Sequence, residues 1–238
     1  MSLRIALVTG ASRGLGRAIA LRLADDVSGV AVHCLTRRDE AQALAAAIRE
    51  RGKLSAVFRA DLAKKAQATG LIKKVEEKFA RLDVLVNNVG PFLVKPWDQL
   101  EVSDWERVLR GNLLGSYFCI KAALAGMRKR RFGRIINIGY SRAEQLTSFP
   151  TIAPYAVAKT GLLILTRTAA VREAANGITV NMVSPGLMKG GTLPRARDLS
   201  ESHFGTFEDV AEAVAYLASD RAAAVTGANL IVAGTWKM

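Results

Sequence analysis

The sequence predicts an α/β fold, a doubly wound parallel sheet in a single domain. Three observations predict it. Short runs rich in Val and Ile alternate with longer helical patterns along the chain. Those runs are almost continuously apolar, as parallel strands buried on both faces require. And 238 residues, half of them apolar, suit one α/β domain with a sizeable core. Alternation of this kind argues right-handed crossovers between parallel strands.

In chain order, the first strand is Leu3–Val8 ("LRIALV"), and a glycine-rich turn then opens a helix over 14–24. Val30–Leu35 forms the second strand, followed by a helix over 39–51; Ser55–Phe58 forms the third, followed by 64–80. The fourth strand is Val84–Val86, and the helical pattern over 101–131 divides into two pieces. Arg134–Ile138 leads to a helix over 155–175, and Thr179–Val183 to an irregular stretch from Pro185 to Phe207. A helix over 207–218 and a last strand, Asn229–Val232, complete the set, with no repeat, low-complexity segment or linker. The irregular stretch follows a strand end, where ligands of open α/β sheets sit.

Composition narrows the class. Lys and Arg number 34 against 21 Asp and Glu, giving a net charge of +13 and a pI near 10.2. Such a field draws anions: nucleic acid, acidic proteins, phosphorylated cofactors. The basic run "RKRR" (128–131) is short and has no aromatic stacking platform around it, which argues against nucleic acid. Cys34 and Cys119 lie in apolar stretches and read as buried thiols in a reducing cytosol. With His33 and His203 the only histidines, a clustered Cys/His metal site has too few ligands. No targeting segment is visible and the apolar runs are far shorter than a bilayer needs, so a cytoplasmic chain without membrane contact is expected.

The turn after the first strand, "VTGASRGLGRAIA", carries the strongest local signal. Gly10 allows a tight turn. Gly14 and Gly16 let the backbone approach a pyrophosphate, and the helix N-terminus offers free N–H groups and partial positive charge to it. The loop residues Ser12, Arg13 and Leu15 join these glycines as candidate cofactor contacts. The spacing is T-G-x-x-x-G-x-G, and the strand–turn–helix context makes it a Rossmann-type dinucleotide site. The second strand ends in Thr36, Arg37 and Arg38 rather than in the acidic residue that meets a free ribose 2′-OH. Forked guanidinium donors suit a 2′-phosphate, so NADP is expected over NAD. The competing readings are that Arg37 and Arg38 form a solvated helix start, or that Asp39 contacts a ribose.

Tyr155 and Lys159 are four apart on a predicted helix and so share a face. A phenol with a pKa of about 10 is a poor acid–base at neutral pH. An ammonium held nearby favours phenolate and is expected to lower that value.

These pieces occur in a fixed order: "TGASRGLG" (9–16), "ADL" (60–62), "NNVG" (87–90), "GN" (111–112), "YAVAK" (155–159), "ITVNMVSPG" (178–186) and "VTGANLIVAG" (225–234). The series resembles the short-chain dehydrogenase/reductase family nearly end to end, and within it the 3-oxoacyl-acyl carrier protein reductases of fatty acid biosynthesis. The resemblance implies that Asp61 and Leu62 flank the adenine. It implies that Asn88, Val89 and Gly90 line the cofactor cleft, with Pro185 and Gly186 from "SPG" also touching the cofactor. Asn112 would hold a proton-relay water. Tyr155 would be the general acid, and Lys159 would also bind the nicotinamide ribose. It further implies a homo-oligomer, dimer or tetramer, assembled through the helices at 112–131 and 155–175 and the C-terminal strand.

Three departures from the family pattern stand out. The serine expected thirteen positions before the tyrosine is absent: that position is Arg142, the slot after "INIG" is Tyr140, and Ser141 lies between. Ser141, with a one-residue bulge, or Tyr140 would then donate to the substrate carbonyl oxygen. A threonine expected four residues past the "SPG" glycine is Gly190, with Thr192 two further on. The substrate loop, at about 187–206, is some ten residues shorter than is usual, which leaves a bound ligand more exposed. The run at 128–131, whose Arg131 matches a carrier-docking position in similar reductases, reads either as favourable charge at a helix C-terminus or as a site for an acidic acyl carrier protein. The expected function is NADPH-dependent reduction of a ketone, foremost a 3-oxoacyl thioester. The alternatives are another small carbonyl or pteridine-type substrate, or a catalytically idle NADP-binding sensor.

Overall fold

In the computed structural model, residues 3–191 and 204–234 are described. Seven strands form one sheet: β1 Ile5–Val8, β2 Gly29–Cys34, β3 Leu54–Arg59, β4 Val84–Asn87, β5 Gly133–Ile138, β6 Ile178–Pro185 and β7 Asn229–Val232. Their order is β3-β2-β1-β4-β5-β6-β7, and every neighbouring pair is parallel. The helices are α1 Gly14–Asp26, α2 Arg38–Glu50, α3 Lys65–Phe79, α4 Val102–Leu109, α5 Gly115–Arg130, α6 Ala153–Glu173 and α7 Phe207–Ala218.

Both faces of the central strands are buried, which is why their sequences read as almost continuously apolar runs. Ala6, Val8, Val30, Val86 and Ile136 point into one layer with α1, α2 and α7. Ile5, Leu7, Ala31, Leu85 and Ile135 point into the other with α3, α5 and the end of α6. The edge strands β3 and β7 are only partly covered. All seven expected strands are present, the last with its expected bounds and the others with ends shifted by one or two residues. Pro185, for example, closes β6 opposite Val232.

The expected division of 101–131 falls at a π-helical turn, Arg110–Leu114, between α4 and α5. Helix α6 begins earlier than expected, with Pro154 in its first turn, where a missing N–H does no harm. A buried chain of hydrogen bonds fixes α6 against the sheet: Asn87 Nδ2 donates to Asn137 Oδ1 (2.9 Å), and Asn137 Nδ2 to Thr166 Oγ1 (2.9 Å).

The run at 128–131 is tied into the fold. Arg128 Nε donates to Glu173 (2.8 Å), Arg130 to the Leu82 carbonyl (2.5 Å) and Arg131 to the Ala175 carbonyl (2.9 Å). Cys34 and Cys119 are free and buried. Of the expected substrate loop, residues 192–203, including Thr192, lie outside the described residues. Its two ends meet in a bridge between Met188 and Gly205. Among the described residues no helix is long and apolar enough to cross a membrane.

Candidate active site

The sheet order reverses between β1 and β4, and a cleft of about 820 Å³ opens beyond the C-terminal ends of the strands there. Gly10, Ser12, Arg13, Gly14, Leu15 and Gly16 form one wall. Thr36 and Arg37 close the β2 end, Asp61 and Leu62 the β3 end, and Asn88, Val89 and Gly90 the β4 side. Gly10 and Gly14 have φ of 62° and 52°, a region in which other residues are strained. A Cβ on Gly16 would lie 2.3 Å from the Gly10 carbonyl oxygen, so the turn tolerates no side chain there. Asn88 fixes this turn to β4 by donating to the carbonyls of Thr9 (2.9 Å) and Gly10 (3.2 Å).

The cleft suits a dinucleotide phosphate. The first turn of α1 has no acidic residue and its N-cap, Arg13, provides no side-chain cap, so the helix start awaits an acceptor. Arg13 and Arg37 both line the cleft; Arg37 also pairs with Glu40 at 2.6 Å. Arg38, expected beside them, begins α2 and is not part of the lining. Pro185 and Gly186 likewise do not line it. They end β6, where the Pro185 carbonyl accepts from Ser141 N (2.9 Å) and Gly186 N donates to Val232 O (3.0 Å).

Sequence reasoning missed His33. It is buried in β2, accepts from Gly10 N at Nδ1 (3.0 Å) and faces the Ala60 carbonyl through Nε2 (3.0 Å), joining the glycine turn to β3. These bonds fix the Nε2–H tautomer, and burial lowers its pKa. The available signal was a polar residue inside an apolar strand beside a glycine turn. Gly190, Arg107 and Phe207 also line the cleft.

Beside the cleft, α6 carries Tyr155 and Lys159. Lys159 Nζ lies 5.6 Å from the centre of the Tyr155 ring and donates to the Ile138 carbonyl at 2.7 Å. Here the structure corrects the expectation of an acidified phenol. Burial lowers the Lys159 ammonium to about 7, and burial, then the neighbouring Tyr140 phenol, pushes Tyr155 above its ordinary value. Desolvation disfavours both charged forms and outweighs their mutual attraction in the cofactor-free protein.

Tyr140 follows Gly139, whose Cβ, were there one, would lie 2.4 Å from Ser184 Oγ. The Tyr140 ring meets Tyr155 edge to face at 5.5 Å and 71°, and Phe149 at 6.1 Å. Phe92 meets Tyr155 from another side at 4.9 Å. The Tyr140 hydroxyl is buried without a hydrogen-bond partner among the described residues, a deficit of about 1–3 kcal/mol. Burial raises its pKa to about 12, against the pull of Arg142.

Asn112 sits in the π-helical turn. Its Nδ2 donates to the carbonyls of Pro91 (2.9 Å) and Val108 (3.1 Å), and its Oδ1 is buried and without a hydrogen-bond partner among the described residues. A Cβ on Gly90 would lie 2.0 Å from that oxygen, so Gly90 is what lets Asn112 approach. The Asn112 backbone carbonyl accepts from Ser116 Oγ at 3.2 Å.

A switch-point cleft with an uncapped helix start, bordered by a tyrosine–lysine pair on one helix, defines an oxidoreductase that works with a nicotinamide dinucleotide. Comparison with known proteins gives the family. A family model described as Enoyl-(Acyl carrier protein) reductase matches residues 10–235. The 3-oxoacyl-acyl-carrier-protein reductase FabG of Staphylococcus epidermidis is 37% identical, over 96% of this chain and 97% of that one. A 3-oxoacyl-acyl-carrier-protein reductase of Synechocystis is 36% identical over 98% and 97%. Among solved structures, a putative short-chain alcohol dehydrogenase from Sinorhizobium meliloti superposes with a TM-score of 0.91 at 31% identity, covering 99% of this chain and 97% of that one. A blue fluorescent protein from a metagenomic library, in complex with NADPH, superposes at 0.88 with 34% identity over 99% and 98%. The chain belongs to the short-chain dehydrogenase/reductase family.

Proposed function

We propose that this chain reduces a ketone to a secondary alcohol with NADPH, and that the ketone is the 3-oxo group of an acyl thioester carried on an acyl carrier protein. The observation that carries the reading is the Tyr155 side chain, held beside the dinucleotide cleft one helical turn from a buried lysine. NADP over NAD is supported by Arg13 and Arg37 in the cleft wall, with no acidic side chain at the end of β2. The substrate class is supported by the two curated relatives named for that reaction. It is also supported by Phe92, an apolar side chain 47% exposed that touches Tyr155.

Bound in the cleft, the dinucleotide supplies a hydride to the carbonyl carbon. The protein's part is to place the carbonyl against the Tyr155 hydroxyl, which gives its proton to the oxygen. Lys159, with a pKa near neutrality, can exchange a proton and restore the phenol. Asn112 braces the Gly90 side of the cleft. A hydroxyl from the Tyr140–Ser141 turn meets the charge that builds on the oxygen.

Two features support association. Val157, Ile164 and Val171, seven apart on α6, are 51%, 63% and 81% exposed, and β7 leaves Leu230 and Ile231 open at the sheet edge. A homo-oligomer through these faces is the proposed assembly. An acidic carrier is drawn by the net charge of +13. The run at 128–131 is the proposed contact: Lys129 is exposed, and Arg128 and Arg131 remain exposed while bonded within the fold.

The test is NADPH oxidation with a series of 3-oxoacyl thioesters, with enoyl thioesters and small diketones as comparisons. Turnover on the 3-oxoacyl series that Tyr155→Phe abolishes without weakening NADPH binding supports the reading. Saturable NADPH binding with no turnover on any carbonyl would leave an idle sensor instead.

A further inference from the structure

The loop after β5 offers two hydroxyls, on Tyr140 and Ser141, and their surroundings differ. Ser141 is partly exposed, and its backbone N–H is committed to Pro185. Tyr140 is anchored: its ring packs with Ala143, Leu162 and Met182 and stands edge-on to Tyr155 at 5.5 Å. Yet its hydroxyl, out of contact with solvent, has no partner among the described residues. A phenylalanine would fill the same space without that deficit, so packing alone does not account for the oxygen.

We propose that Tyr140, rather than Ser141, gives the substrate's carbonyl oxygen its second hydrogen bond, beside the one from Tyr155. The proposal rests on the reading of the chain as a carbonyl reductase. Tyr140 keeps its own proton throughout. As the carbonyl carbon takes up hydride, the C=O electron pair moves onto oxygen. Tyr155 transfers a proton there, and the Tyr140 O–H stabilises the charge before that transfer is complete. Two further observations agree. The two rings are in contact, 5.5 Å between centres, and the Tyr140 phenol adds to burial in disfavouring ionisation of Tyr155, which places both on one site. Burial keeps the Tyr140 phenol protonated, as a hydrogen-bond donor must be, and the Arg142 guanidinium offsets only part of that effect. A ligand reaches this hydroxyl when the aromatic contacts part. Phe149, at the end of the largely exposed 144–150 loop and covered on one side by Arg142 at 4.7 Å, is the neighbour placed to move.

The experiment compares Tyr140→Phe with Ser141→Ala in the full chain. Thermal melting and NADPH titration first confirm fold and cofactor binding. Tyr140→Phe is expected to lower kcat by about 10²–10³-fold, at least tenfold more than Ser141→Ala does. A second readout needs no turnover: calorimetric titration of the cofactor-free protein with 3-oxobutyryl-pantetheine, in which Tyr140→Phe weakens binding about tenfold. A Tyr140→Phe variant that keeps wild-type kcat and binding, or a larger loss on Ser141→Ala, overturns the proposal. The substrate reading fails separately. If the wild type reduces 2,3-butanedione but no 3-oxoacyl thioester, that reading falls and Tyr140 is judged by turnover of the dione. A wild type that reduces neither overturns both.

Discussion

Replacing Lys159 by Met should stabilise the cofactor-free protein while abolishing its chemistry. Lys159 is 3% exposed and burial brings its pKa from 10.5 to about 7. The sign follows from linkage. The unfolded chain binds this proton more tightly than the folded one, so the lysine opposes folding below the unfolded value and stops opposing it as pH rises to that value. At pH 7 the opposition is about 4 kcal/mol, falling to about 1 kcal/mol at pH 9.5. Met removes that term but strands the Ile138 carbonyl, now bonded at 2.7 Å, at about 1–3 kcal/mol. The expected net gain is about 2 kcal/mol at pH 7, with the variant's advantage over wild type shrinking by about 3 kcal/mol by pH 9.5. Urea unfolding of both proteins at several pH values between these limits measures it. Parallel stability curves across that range would show that the lysine is not held against its charge, and would refute the reasoning.

Three other outcomes are expected. Gly90→Ala forces the Asn112 side chain away, since its Cβ would lie 2.0 Å from Oδ1; denaturant unfolding should show a loss of about 1–3 kcal/mol together with slower turnover. His33 is held neutral, with a lowered pKa, so its contribution is present above about 6.5 and lost as pH falls through the folded value. Melting temperatures of wild type and His33→Gln between pH 7 and pH 5 should therefore converge, the wild type falling more steeply; equal slopes would contradict the paired neutral imidazole. Arg13→Ala with Arg37→Ala should weaken NADPH by about 10–100-fold while changing NADH far less, read by fluorescence titration; equal losses for both cofactors would remove the 2′-phosphate assignment.

How far the sequence speaks depends on whether the physics is local. Strand identity was legible because strands buried on both faces are mostly apolar, and β1, β2, β4 and β5 are buried at every position with only His33, Asn87, Arg134 and Asn137 breaking the pattern. The glycine turn was legible because positive φ at Gly10 and Gly14 is a property of single residues. Arg38 and Arg37 look alike in sequence, and only the start of α2 separates one from the cleft. The partners of the guanidiniums at 128–131 were not legible because Glu173, Leu82 and Ala175, which hold three of them, are distant in the chain. The protonation of Tyr155 and Lys159 was misjudged for a related reason: spacing shows that two side chains share a face, while burial, which decides their charge, belongs to the whole fold.

Unmet polar demand is distributed unevenly, and that distribution argues for where the chemistry is. Of the buried polar atoms without a hydrogen bond among the described residues, Glu76 Oε1 lies 3.7 Å from Arg130 Nη2 and Arg130 Nε lies 3.5 Å from Asp83 Oδ1, so both sit in ion pairs. Asn229 accepts from Ser184 through its other side-chain atom, and Thr179 lies near the N-terminal end of β6, away from the cleft. The rest, on Asn87, Asn112 and Tyr140, cluster where β4 and β5 end. There too Lys159 is held near neutrality and Tyr155 against ionisation. Local rules broken together at one end of a sheet that keeps them elsewhere mark a site built for something other than folding. The apolar clusters on both faces of the sheet, with the Asn87–Asn137–Thr166 chain between β4, β5 and α6, hold those groups in place. A ligand that offers an acceptor to Tyr140 therefore relieves a deficit already present, once the aromatic contacts around that hydroxyl have parted.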